Sequence, residues 1–106
     1  VVINELLGRL ARELQSCDEE SFASAVRVAI AGTPEERTAF LMSNNLWGGP
    51  VSIADQAGTR GERSEGRRLI EVALRDLGHE QLRVGIVNSR TQMWVDVFEK
   101  WAARGI

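Results

Sequence analysis

The chain has 106 residues, of which 43% are apolar and 26% charged, and a formal net charge of −2. That composition suits one domain with one hydrophobic core and argues against disorder, and the weak negative charge supplies no strong field to gather polyanions. No apolar run approaches the ~20 residues a membrane span needs, and residues 1–16, amphipathic and carrying Glu5 and Glu13, read as neither a secretory signal nor a transit peptide; no membrane association and a cytoplasmic location are expected.

Ile3, Leu6, Leu7, Leu10 and Leu14 recur at helical spacing, with Glu5, Arg9, Arg12 and Glu13 on the other faces, and predict a helix from about Val2 to Gln15. Ser16-Cys17-Asp18-Glu19 has the spacing of a capping box, with Asp18 as a competing cap. Phe22, Ala25, Val26, Ala29 and Ile30 continue the apolar stripe over a second helix, which Gly32 is expected to end in the left-handed conformation. Thr33-Pro34-Glu35-Glu36 is the clearest local signal: Thr33 caps, Pro34 takes the first helical position, and Glu36 completes the box. The third helix carries Ala39, Phe40, Leu41 and Met42 until Ser43-Asn44-Asn45 breaks it.

The segment Asn44–Gln56 departs from helix-building rules and places Trp47, Gly48, Gly49, Pro50, Ser52 and Asp55 close together. Paired glycines open backbone angles closed to other residues, and Pro50 then fixes its own φ. Trp47 brings a large apolar area and an indole N–H that needs an acceptor, while Ser52 is placed to cap a short turn over Ile53–Ala57. Two readings stand: a tight inter-helix connection whose tryptophan plugs the core, or a preorganised recognition loop held on a rigid scaffold. Neither a Walker pattern nor a dinucleotide fingerprint is present.

Residues 58–66, with three glycines and no apolar anchor, read as a flexible connector inside a single domain spanning 1–106. Leu69, Ile70, Ala73, Leu74 and Leu77 mark a further helix, which Gly78 is expected to close. Beyond it, Leu82–Val87 alternates as a strand would, but no second strand offers a partner. One long helix from about Glu80 to Ala103 is the favoured reading, because Leu82, Ile86, Met93, Val97 and Trp101 share a face. The fold class expected is all-α, a bundle of about five helices with a long C-terminal helix.

Arg90 falls near the apolar stripe of that helix, where a charge needs a partner. Asp55 is the expected one, pinning the loop to the helix, with Glu80 and Asp96 as alternatives; an Arg90 turned to the solvent-facing edge is the other reading. Arg60, Arg63, Arg67 and Arg68 invite a nucleic-acid reading, but Glu62, Glu65 and Glu71 interleave with them, and a solvated face laced with ion pairs is the better reading. Trp94, Phe98 and Trp101 line one helix side; Trp94 and Phe98 suit the core, and Phe98 with Trp101 forms a candidate interface for a partner or for a homodimer.

The lone Cys17 makes no internal disulfide, and with the lone His79 it cannot complete a four-ligand zinc site. No nucleophile–base pair and no cofactor motif stands out, so no metal and no cofactor is expected, and a non-catalytic role is favoured over an enzyme.

The run Leu46-Trp47-Gly48-Gly49, followed by Ser52, Ile53 and Asp55, resembles a segment of small bacterial proteins to which no activity is assigned. Arg90-Thr91 followed by Met93-Trp94 is similar to its helical companion there, and Val51 stands where those proteins carry glycine. The resemblance implies a bacterial helical protein and no particular mechanism. The expected function is protein–protein interaction, of the inhibitor or immunity type that occludes a partner. The alternatives are a nucleic-acid-associated regulator using residues 60–68 and a small-molecule binder around Trp47, Ser52, Asp55 and Arg90.

Overall fold

Helix α1 (Val2–Ser16) turns Ile3, Leu7, Leu10, Ala11 and Leu14 inward, the face its periodicity predicts. A computed structural model describes residues 2–48, 52–55, 65–86 and 88–104, the side chains of residues 65–67 and 104 excepted. α1 ends in a turn in which Asp18 adopts a positive φ of 61°, a conformation aspartate tolerates better than most residues. The capping box expected over residues 16–19 does not form. Ser16 Oγ instead donates back to the Arg12 carbonyl at 3.0 Å, and the residue before α2, Glu19, gives it no side-chain cap.

Helix α2 (Glu20–Ala31) buries Ala23, Val26 and Ala29 against α1. Gly32 ends it in an extended conformation (φ −80°, ψ −176°) rather than a left-handed one. The last carbonyls are met instead from α3, where Arg37 Nη2 donates to Ile30 O at 3.0 Å and to Gly32 O at 3.1 Å. A cation there also opposes the negative end of the helix dipole. Helix α3 (Pro34–Leu41) opens as its sequence dictates. Glu36 N–H donates to Thr33 Oγ1 at 3.1 Å, and Thr33 N–H donates to Glu36 Oε1 at 2.8 Å.

Residues 44–47 are not loop but a short helix, α4 (Asn44–Trp47), and residues 53–55 form a helical turn capped as expected by Ser52, whose Oγ accepts from Asp55 N–H at 3.1 Å. The expected connector lies mostly outside the described residues, since 58–64 are not among them and Glu65 and Gly66 already belong to helix α5 (Glu65–Arg83).

The long helix over 80–103 is corrected. α5 runs through Gly78 to Arg83, the chain turns at Val84 and Gly85, and helix α6 (Ser89–Arg104) begins anew. Gly85 takes φ +87°, which a side chain disfavours. Asn88 then caps α6, its Oδ1 accepting from Arg90 N–H at 2.8 Å. Stripes of two separate helices therefore imitated one continuous stripe. No strand occurs among the described residues, 82–86 included.

The domain is an all-α bundle of six helices among the described residues, with α6 as its long C-terminal member. α5 packs on both α1 and α6, and one core cluster joins Leu7, Leu10 and Leu14 with Leu74, Leu77, Trp47 and Phe98. Arg9 of α1 reaches Asp76 of α5 at 2.7 Å on the rim of that contact. Among the described residues, no helix is long and apolar enough to cross a membrane.

Candidate functional site

Trp47 ends α4 at 0% exposure, so the aromatic of the Trp-Gly-Gly segment is a core residue. Its indole N–H meets the acceptor it needs in Gln81 Oε1 of α5, at 3.0 Å. Its carbonyl accepts from Trp94 Nε1 of α6 at 3.1 Å. One residue thus ties α4 to both long C-terminal helices, by side chain to one and by backbone to the other.

Gln81 is equally buried, at 0% exposure, and every hydrogen-bonding direction of its amide nitrogen and oxygen that the fold uses is directed inward. Nε2 donates to the Leu41 carbonyl at the end of α3, at 3.0 Å, and to Thr91 Oγ1 of α6, at 3.1 Å. Thr91 is itself fully buried. A polar side chain in an apolar core is costly unless satisfied; satisfied from three elements, it admits one arrangement of them. Asn88 adds a parallel tie nearer the surface, its Nδ2 donating to the Met42 carbonyl at 2.7 Å.

Two glycines are required for space. A Cβ on Gly48 would stand 2.5 Å from Asn44 O, and one on Gly78 would stand 2.4 Å from Val95 Cγ2. Gly78 does not close α5; its bare face lets α6 approach. Gly49 lies outside the described residues. Ser52 is fully buried and Asp55 half-buried, consistent with their place in the capped turn.

Arg90 is exposed in the first turn of α6, and no ion pair joins it to Asp55. Arg90 is not on the buried face where a charge would need a partner, so the expected pairing with Asp55 does not form. The alternative partners are engaged elsewhere, Glu80 with Arg83 at 2.7 Å and Asp96 with Gln92 at 3.0 Å. Phe98 is only 2% exposed and stacks on Trp94 at 5.4 Å; Trp101, partly buried, meets its edge at 5.8 Å. Of the two aromatics expected at an interface, Phe98 is therefore core. Of the arginine cluster, Arg60 and Arg63 lie outside the described residues, and Arg68 is exposed.

The sequence did not single out Gln81, and marked Thr91 only as part of the Arg90–Trp94 segment. The available signal was the position of Gln81, which follows Leu74, Leu77 and Gly78 on the buried face of α5 at helical spacing. A different feature faces solvent between α2 and α3. An open cleft of about 340 Å³ separates α2 from α3, walled by Ala25, Val28, Ala29, Gly32, Phe40 and Glu36. Val28 is 70% exposed, the most exposed large apolar side chain of the described residues.

Glu36 is the charged member of that cleft. The backbone N–H and the side chain of Thr33 hold its carboxyl below the ordinary carboxylate value of 4.5, so it is ionised at neutral pH. No protein-family model, curated protein or solved structure matches this chain.

Proposed function

We propose that this chain is a non-catalytic protein–protein interaction module of the bacterial cytoplasm, of the inhibitor or immunity type that occludes its partner. The observation that supports it is the outward face of α2. Helices at the surface of a globular domain normally turn polar residues to solvent. α2 exposes Glu20, Ser21, Ser24 and Arg27, but also Ala25, Val28 and Ala31, with Val28 at 70% beside an open cleft. Single exposed apolar residues are ordinary, and it is the grouping of these around a concavity that supports the reading. The Trp-Gly-Gly segment supports the same reading from the other direction, because its side-chain work is internal and organises the bundle.

The test is affinity capture of the tagged chain from lysate of its source organism, half of it nuclease-treated and all of it washed in moderate salt. A stoichiometric protein that survives nuclease is the expected result. Recovery of nucleic acid, or of the bait alone, overturns the reading.

A further inference from the structure

We propose that the α2–α3 cleft receives a segment of a partner protein that inserts one bulky apolar side chain against Val28 and places an arginine or lysine on Glu36. This rests on the interaction reading above and names the chemistry of the partner.

Size limits the guest. About 340 Å³ is the room of roughly ten waters at ~30 Å³ each, enough for one leucyl or aromatic side chain with part of its backbone. Shape admits it, because Ala25, Ala29 and Gly32 keep the floor low between the taller Val28 and Phe40. A pocket that takes a single large anchor and is desolvated by it is the usual form of a binding hot spot.

Charge sets the guest's second feature. Glu36 Oε1 accepts from Thr33 N–H at 2.8 Å, and the side chain stands exposed on the cleft wall. The carboxylate is oriented by its capping role, ionised, and exposed where an external donor can approach it. Glu35, exposed next to it, adds a second negative charge. The nearby guanidinium groups are engaged elsewhere: Arg37 donates to the carbonyls of Ile30 and Gly32, and Arg27 donates to Gln15 on the α1 side. The complement of an acidic wall on an apolar pocket is a basic–apolar segment, and an ion pair formed there is partly shielded from solvent by the guest itself.

The test is selection of random displayed twelve-residue peptides on the full chain, followed by binding of the selected peptides, made synthetically, to wild type and three variants. Val28→Asp puts a charge into the pocket, Ala25→Arg fills it, and Glu36→Gln keeps the Oε1-type acceptor for Thr33 while removing the charge. Circular dichroism first checks that each variant keeps its helices. Peptides joining a large apolar residue to Arg or Lys are expected, with affinity falling at least tenfold on V28D and A25R and several-fold on E36Q. The salt dependence of binding is also expected to flatten on E36Q. Acidic peptides, peptides that bind V28D and A25R as well as wild type, or no peptide above background would overturn the proposal. A concentration-dependent dimer of the chain that V28D dissociates would overturn it too, by making the occupant a second copy. The two levels fail separately: if V28D still captures the lysate partner of the wild type, the cleft is the wrong surface and the interaction reading survives.

Discussion

The indole N–H of Trp47 donates to the side-chain oxygen of Gln81 at 3.0 Å, with both residues wholly withdrawn from solvent. Around this bond the ends of α3 and α4 and the facing sides of α5 and α6 converge, because Gln81 also holds Leu41 O and Thr91 Oγ1, and Trp47 O holds Trp94. Apolar contacts alone tolerate sliding and repacking at small cost. A buried amide with directional partners does not, so this group specifies how the helices meet.

Replacing Gln81 by leucine should therefore destabilise the protein despite adding an apolar residue to the core. Three buried groups would lose their partner, at about 1–3 kcal/mol for each that water cannot reach, and a total loss of about 3 kcal/mol is expected from urea unfolding followed by circular dichroism. Trp47→Phe in the Q81L background should cost less than in wild type, since its missing N–H no longer matters. Additive losses would show that the bond contributes nothing of its own.

Gly78→Ala should run against helix propensity. Alanine normally stabilises a helix interior by about 1 kcal/mol over glycine, but here its Cβ would meet Val95 Cγ2 at 2.4 Å, and overpacking costs about 1–3 kcal/mol. Gly8→Ala is the internal control, because its new methyl would find only Arg12 Nη1 at 3.7 Å. G78A is expected to lower Tm, G8A to raise it, and V95A to restore part of the loss in the G78A background. A higher Tm for G78A alone would contradict the close approach of α5 and α6.

Thr33→Ala should cost about 1 kcal/mol at neutral pH, as is usual for loss of an N-cap. Glu36 makes the effect of this box pH-dependent. Its carboxyl titrates below 4.5 in the folded chain, chiefly because of the bond from Thr33 N–H, so in that window the unfolded chain binds more protons and stability rises with pH. The contribution of the ionised group is fully present above pH 4.5 and is lost as pH falls through the lower native value. The stability difference between wild type and Glu36→Gln should accordingly shrink on acidification, as read from paired thermal melts across that range. A difference that stays constant would rule out the linkage.

Arg90→Ala should change stability by no more than about 0.5 kcal/mol, as for an exposed residue free of special contacts. In a double-mutant cycle with Asp55→Ala the coupling should lie within about 0.5 kcal/mol of zero. A larger coupling, measured in low salt, would restore the ion pair that residue spacing suggested and the structure lacks.

What residue order alone decides here is the local material: the inward face of α1, the Thr33–Glu36 box, the Ser52 turn and the all-α class. Each of these is settled by groups within a few positions of one another, Thr33 and Glu36 being 3 residues apart. Where local signals compete, the same reasoning failed. The stripe shared by Leu82, Ile86, Met93 and Val97 continued through a break that Gly85 at φ +87° and the Asn88 cap impose. Gly78 carries the mark of a helix terminator and is instead the point where a neighbouring helix comes close. The central bonds were beyond reach for a plainer reason. Gln81 meets partners 34, 40 and 10 residues away, and whether a glutamine on an apolar face is a blemish or a keystone depends on what the other helices bring to it. Only the assembled bundle supplies those acceptors and donors, excludes water from them, and among the described residues leaves the outer face of α2 exposed.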